Sequence, residues 1–256
     1  MQRTEICRCL AVAAFWSCLA APAFPQVVSP AEIRNPELRE LQQKHLAELK
    51  AVAVSITSHQ FPYRFYFSRT LDLEEEQQKR HDQRSIQFAK YGHQTVVQIL
   101  GNYYASYSAE LMKREDRARQ TFKDVMLPIL QAEVPQLRDA PDIQGFALEI
   151  SHHVRKKMLG VSTEHAENVV LVIPKSAALR LLAARDEAAQ EAALDEASLF
   201  VNGESASLWT ARDADPPPEP APTVTAAVAP PAGARRAGAR LLRPAVRASA
   251  GPRGRL

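Results

Sequence analysis

Apolar residues recur at helical spacing in three parts of the chain. Residues 36–52 place leucines and a valine on one face, after a helix-start signal at Asn35-Pro36. Residues 109–134 repeat this period, and Pro128 within them lacks the backbone N–H that a regular helix needs. Residues 175–198 are rich in Ala and Leu, which favour helix. We therefore predict three helical regions, the second interrupted near Pro128.

A period of two marks the strands. Aromatic residues alternate with other side chains over residues 61–67. Residues 86–99 predict a hairpin that turns at Gly92-His93, and Asn202-Gly203 predicts another hairpin at the end of the domain. Residues 169–173 form an apolar, largely β-branched run, which is typical of a buried strand. Local sequence therefore indicates two hairpins and two further strands.

Residues 143–158 fit both periods. As a helix, they give Glu149-x-x-His152, a spacing used for metal ligands in carboxylate-bridged helical bundles. As a strand, they turn His152 toward the core, while Glu149, His153 and Arg155 share the opposite face. The strand is favoured because the buried strand that follows needs a pairing partner. The pattern alone leaves both interpretations open.

Together these elements predict an α+β fold, in which helices pack on a mostly antiparallel sheet. The predicted order is α-β-β-β-α-β-β-α plus a terminal β-hairpin. We divide the chain into a signal peptide (1–23), an N-terminal helical segment (24–59), the α+β domain (60–211) and an Ala/Pro/Arg-rich tail (212–256) that we expect to be disordered.

The first residues have the three parts of a secretory signal. Arg3 and Arg8 precede an apolar run over residues 9–19, and Ala21-Pro22-Ala23 is a small-residue cleavage site. We expect cleavage after Ala23 and export to the periplasm or the exterior; lipidation at Cys18 is an alternative. All three cysteines lie in this leader, so the mature chain would have neither a disulfide nor a thiolate site. No later segment is long and apolar enough to cross a membrane.

The tail differs in charge from the rest of the chain. Residues 212–256 carry eight arginines against three acidic residues, a balance of +5, whereas residues 24–211 carry 22 basic and 25 acidic residues, a balance of −3. The acidic body lacks the basic surplus of a nucleic-acid footprint, so we expect no nucleic-acid partner for the folded domain. The tail could contact anionic polymers through charge alone. Its composition favours an unconstrained extension instead.

Two groups of side chains are candidates for function. The first is a candidate polar site, Glu149, His152, His153 and Arg155. The second is a candidate binding surface, Asn102, Tyr103, Tyr104 and Tyr107. Tyrosines suit recognition because they combine apolar area with a hydroxyl group.

The sequence favours binding over catalysis. It contains no glycine-rich phosphate loop, no G-x-S-x-G elbow, no H-E-x-x-H pair and no second E-x-x-H, so it indicates neither a cofactor nor a metal site. We therefore predict a non-enzymatic exported protein that binds a protein or a small ligand. The alternative is a metal-dependent hydrolase that uses Glu149, His152 and His153, joined by His165 from the following segment.

Four phrases of the chain carry a resemblance: "DQRSIQF", "GNYYASYSAE", "EISHHVRKK" and "ENVVLVIP". Together they resemble a group of uncharacterised exported proteins from acidobacteria, over roughly residues 60–210. The resemblance implies a bacterial envelope setting. It implies no activity and no catalytic residue.

Overall fold

The computed structural model describes residues 26–158 and 160–208. Its helices are α1 (Pro36–Lys44), α2 (Leu46–Ser58), α3 (Glu75–Gln78), α4 (Arg114–Thr121), α5 (Leu127–Leu137), α6 (Lys175–Ala183) and α7 (Glu187–Leu194). Its strands are β1 (Phe65–Phe67), β2 (Ile86–Tyr91), β3 (Gln94–Ser108), β4 (Gly145–Met158), β5 (Val161–Pro174), β6 (Ser198–Val201) and β7 (Glu204–Ala206). The predicted signal peptide (1–23) and the tail (212–256) lie outside the described residues.

The strands of the described chain form one sheet in the order β1-β3-β4-β5-β6-β7. β3 is long enough to pair with β2 along its first half and with β1 along its second half, on the same edge. Every pair is antiparallel except β3 with β4, which is parallel because α4 and α5 carry the chain back between them. The predicted α+β fold with a mostly antiparallel sheet is confirmed.

Both predicted hairpins form at their turn residues. Gly92 has φ +56°, and Asn202 and Gly203 have φ +52° and +81°, the left-handed backbone that a two-residue hairpin turn requires. The helical interpretation of residues 143–158 is wrong. They form β4, because the sheet offers a pairing partner on each side, β3 on one and β5 on the other.

The main hydrophobic core lies between one face of the sheet and the helices. It includes Leu49, Val52 and Ile56 of α2, together with apolar residues of α5, α6 and most strands. The helices of the N-terminal segment therefore share one core with the strands that follow. None of the described helices combines the length and the apolar character that crossing a bilayer takes.

α4 and α5 are joined by a π-helical turn, Phe122–Met126. Pro128 lies two residues after this turn and cannot donate a backbone hydrogen bond one turn back. The π-helical turn therefore lies where the sequence predicted an interruption of the helix. Thr121 ends α4 just before this turn and is fully buried.

The outer edge of β2 is covered by the N-terminal part of the chain. Val27 forms a parallel bridge with Ile86, and the side-chain amide of Gln42 in α1 lies against the strand. Gln42 Nε2 donates to the carbonyls of Val28 (2.8 Å) and Ile86 (3.3 Å), while its Oε1 accepts from the N–H of Phe88 (2.9 Å). The carbonyl of Ile86 also accepts from the N–H of Val28 at 3.0 Å, so backbone and side chain together occupy this edge of the strand.

A small second cluster of buried hydrophobic residues packs on the other face of the sheet, at one end. Ala89, Val96 and Ala147 lie in this cluster with Tyr91 packed against it. The side chain of Tyr91 in β2 lies close to that of Ser198 in β6, four strands away. A flat sheet would separate these strands by about 19 Å, so the sheet must be strongly curved here.

Candidate functional site

β4 carries the predicted polar residues on both of its faces. His152 points toward the helices and is fully buried. Glu149, His153 and Arg155 occupy the alternate positions and face the other side of the sheet. The four residues of the candidate polar site therefore do not converge on one point.

His152 belongs to a buried polar network that links α4, β4 and β5. Its Nδ1 lies 3.0 Å from the hydroxyl of Thr121, and its Nε2 lies 3.0 Å from Oε1 of Glu167. Arg117 donates to both carboxylate oxygens of Glu167, at 2.9 and 2.6 Å. Because an ionised carboxylate only accepts, Nε2 carries the proton and Nδ1 accepts from the threonine hydroxyl. Donors and acceptors match at each of these contacts.

The charges of this network follow from burial and hydrogen bonding. Burial lowers the pKa of His152, and the hydrogen bond to Glu167 opposes this only in part. Burial alone would raise the pKa of Glu167, but the hydrogen bonds from His152 and Arg117 outweigh burial and lower this pKa to about 2. At neutral pH the imidazole is therefore neutral, and the carboxylate is charged and paired with Arg117.

The order hydroxyl, imidazole and carboxylate is that of an activated nucleophile with its base and orienting acid. The burial of these three side chains excludes this chemistry. Thr121 and His152 are 0 % exposed and Glu167 is 2 % exposed. A substrate cannot reach either the hydroxyl or the imidazole, so the network holds α4 onto the sheet.

The residues on the opposite face of β4 have separate partners. Glu149 accepts a hydrogen bond from the side-chain amide of Asn168 at 2.8 Å, and Arg155 donates to a serine hydroxyl of β3 at 3.1 Å. The ring of His153 lies 5.7 Å from the ring of Tyr104. Across residues 26–158 and 160–208, no three His, Cys, Asp or Glu side chains are grouped so that they could hold a metal ion.

The four residues of the candidate binding surface also divide between the two sides of β3. Tyr103 and Tyr107 face the core. The hydroxyl of Tyr103 lies 3.3 Å from a carboxylate oxygen of Asp124. The ring of Tyr107 packs edge-on against that of His152, with centroids 4.9 Å apart. Burial raises the pKa of Tyr107 to about 12. Asn102 is buried and makes two hydrogen bonds to the loop before α3 and one to the side chain of Gln78 in α3. Of the four, Tyr104 lines an open cleft.

This aromatic cleft opens where β1 passes the end of α2 and has a volume of about 750 Å³. That volume falls in the range of small-molecule sites. Seven rings line it, and its polar side chains include Gln26, Arg64, Glu75 and Gln83. The rings are those of His59, Phe61, Tyr63, Phe65, Tyr66, Phe67 and Tyr104.

Local sequence explains how the cleft forms. The rings contact one another in series, with centroids 4.7 Å apart for His59 and Phe61 and 5.2 Å apart for Phe61 and Phe65. Gly101 lies in β3 beneath this series, and any side chain there would overlap the Phe65 ring. The glycine therefore lets the aromatic strand lie close against β3.

The rim of the cleft offers charge and exposed aromatic surface. Arg64 and Glu75 form an ion pair at its mouth, and the hydroxyl of Tyr66 lies 3.5 Å from the same carboxylate. Tyr63 is 55 % exposed, and its ring meets that of Tyr103 edge-on. Flat rings and a charged pair therefore face the same space.

Sequence reasoning predicted a strand over residues 61–67 and did not identify this cleft. β1 covers Phe65–Phe67 alone, and the residues before it form the wall of the cleft. The available signal was composition, since five of these seven residues are aromatic. Aromatic residues at this density are enriched at binding surfaces.

A second feature that sequence reasoning missed is Glu133 in α5. It is fully buried, and neither carboxyl oxygen has a hydrogen-bond partner among the described residues. Burial alone raises its pKa well above the usual range. Its position continues the stripe of Val125 and Ile129 at a spacing of four, which placed it on the core side of the helix.

No protein-family model matches the chain, and neither a curated protein nor a solved structure matches it.

Proposed function

We propose that this protein is a non-catalytic binding protein and that its ligand occupies the aromatic cleft. The observation that carries the proposal is the cleft itself, in which seven rings and the Arg64–Glu75 ion pair surround about 750 Å³. The hydroxyl–imidazole–carboxylate chain at His152 is buried away from any substrate, which favours binding over hydrolysis.

The chemistry of the wall indicates the class of ligand. Aromatic faces pack against flat apolar surfaces, while Arg64, Glu75 and the two glutamines can exchange hydrogen bonds with a polar edge. A saccharide ring has both features, with C–H groups on its faces and hydroxyls around its edge. We infer that the cleft takes a short oligosaccharide.

The proposed setting is the bacterial envelope. Support comes from the secretory pattern of residues 1–23 and from the resemblance to exported proteins of acidobacteria. An envelope protein meets cell-wall saccharides directly, so the proposed ligand class and the proposed location agree.

Titration with soluble peptidoglycan and chitin fragments tests the proposal, with backbone amide chemical shifts as the readout. Shifts should concentrate at residues 59–67 and at Tyr104. Tyr63→Ala and Arg64→Ala, both at exposed positions, should each weaken binding at least tenfold. Leu179→Ala, an exposed position on α6, is the matched control and should leave affinity unchanged. Absence of saturable shifts, or equal affinity in all variants, would refute the cleft as the site.

A further inference from the structure

The β4–β5 hairpin extends past the helices at one end of the molecule. Its strands pair without interruption from Gly145 with Pro174 to Met158 with Val161. At the far end, residues 155–157 of β4 and residues 161–165 of β5 are all exposed. Since successive side chains of a strand point to opposite faces, both faces of this ribbon meet solvent.

The loop that follows β3, the neighbouring strand of β4, reaches the same end. The N–H of Ala109, after β3, donates to the carbonyl of Arg155 at 2.9 Å. The N–H of Lys157 donates to the carboxylate of Glu110 at 2.5 Å. The next residue, Leu111, therefore lies beside the hairpin tip.

The two most exposed large hydrophobic side chains of the described residues lie at this end. Leu111 is 86 % exposed and Val161 is 64 % exposed. Exposed apolar groups gathered at one projecting end mark an interaction surface.

Cations surround this apolar end. Arg155, Lys156 and Lys157 are exposed on the hairpin, and Lys113 is exposed on the adjoining loop. The acidic side chains at the same end are Glu110 and Glu164. Four positive and two negative charges give a local balance of +2, whereas residues 24–211 as a whole carry −3.

We propose that this end of the molecule, Leu111 with the tip of the β4–β5 hairpin, docks onto an anionic lipid bilayer. Leu111 and Val161 enter the boundary between headgroups and acyl chains. Lys113, Lys156 and Lys157 contact lipid phosphates. An apolar end ringed by cations has this interfacial chemistry. The aromatic cleft plays no part in it, so the two proposals stand separately.

Vesicle co-sedimentation with the full chain tests the proposal. The wild type should bind vesicles of phosphatidylglycerol and phosphatidylcholine but not of phosphatidylcholine alone. Leu111→Ser/Val161→Ser should weaken binding at least tenfold, and so should Lys156→Glu/Lys157→Glu. The charge-reversal effect should shrink in 0.5 M salt, because ions screen it. Val54→Ser/Leu179→Ser, which alters two exposed apolar residues on helices, is the matched control and should bind like the wild type.

A second readout locates the contact. In Val161→Trp, brominated lipid should quench the introduced fluorescence, whereas Leu179→Trp should be unaffected. Equal sedimentation of the tip variants and the control would overturn the proposal, and would assign any binding to the rest of the chain, including the arginine-rich tail. A change in oligomeric state of the tip variants without a change in vesicle binding would overturn it in favour of self-association.

Discussion

Two buried glutamates of the same fold have pKa values that are shifted in opposite directions. Glu167 in β5 receives hydrogen bonds from Arg117 and His152, and its pKa is lowered to about 2. Glu133 in α5 is equally buried, has no hydrogen-bond partner among the described residues, and has a pKa raised well above the usual range. Burial acts to raise the pKa of both carboxyl groups. At Glu167 the hydrogen-bond donors outweigh burial, so the pKa falls instead.

The difference shows that burial alone does not decide whether a carboxyl group stabilises a fold. A paired carboxylate with matched donors adds a rigid link between α4 and the sheet. An unpaired one loses hydration and gains nothing in return. The two regions should therefore respond in opposite directions to substitution and to pH.

The largest effect is expected from breaking the pair at Glu167. Arg117→Met removes the bidentate donor and leaves the carboxylate buried with His152 alone. We expect the free energy of unfolding to fall by about 3–5 kcal/mol, the usual cost of an uncompensated buried charge. Urea denaturation measures it. Arg64→Met, which breaks an exposed pair, is the control. An equally small effect in both variants would show that the buried pair does not hold the fold.

Removing the unpaired carboxyl should stabilise the protein. Glu133→Leu should raise the free energy of unfolding by about 1–3 kcal/mol at pH 7, because burying an unsatisfied polar group costs about that much. The size of this gain depends on pH. The unfolded carboxyl ionises above about pH 4.3 while the native one stays protonated, so the cost of keeping it protonated grows as pH rises and disappears below that value. Glu133→Gln should show the same pH trend. A gain that is equal at pH 4 and pH 7 would contradict this account.

The smallest of the three effects concerns His152. Its lowered native pKa means that the unfolded chain takes up a proton below about pH 6.5 while the native imidazole stays neutral. Stability should therefore fall with decreasing pH by up to about 1.4 kcal/mol per pH unit. His152→Gln should flatten the profile between pH 5 and 7, and His165→Gln, on the exposed ribbon, should not. Identical profiles for both variants would count against a buried neutral histidine.

The order of elements could be predicted because each has a local cause. Asn202-Gly203 supplies the positive φ angles of its turn, and the β-branched run at 169–173 matches a buried strand. The parallel pairing of β3 with β4 could not be predicted, since it depends on how α4 and α5 return the chain. The alternating and apolar patterns identify only the second half of β5, at residues 169–173. The residues of its first half are polar because both faces of the ribbon are exposed, which removes the period of two.

The candidate sites were predicted less well, for a physical reason. The strand interpretation put His152 toward the core, but its hydrogen-bond partners Thr121 and Glu167 lie 31 and 15 residues away, and no local pattern brings them together. The sequence predicted one binding surface for the three tyrosines. Consecutive strand residues such as Tyr103 and Tyr104 instead face opposite sides of the sheet. Proximity in sequence is a poor guide to a shared site on a strand.

The amide of Gln42 has a further consequence, for association between molecules. An uncovered strand edge presents a row of free N–H and C=O groups, which can template pairing with a strand of another chain and lead to fibrils. The Gln42 side chain of α1 blocks such pairing at the N–H of Phe88. The backbone of Gln26 and Val28 blocks it at Ile86. The N-terminal segment thereby opposes edge-to-edge aggregation along this part of β2, a role separate from its packing in the core.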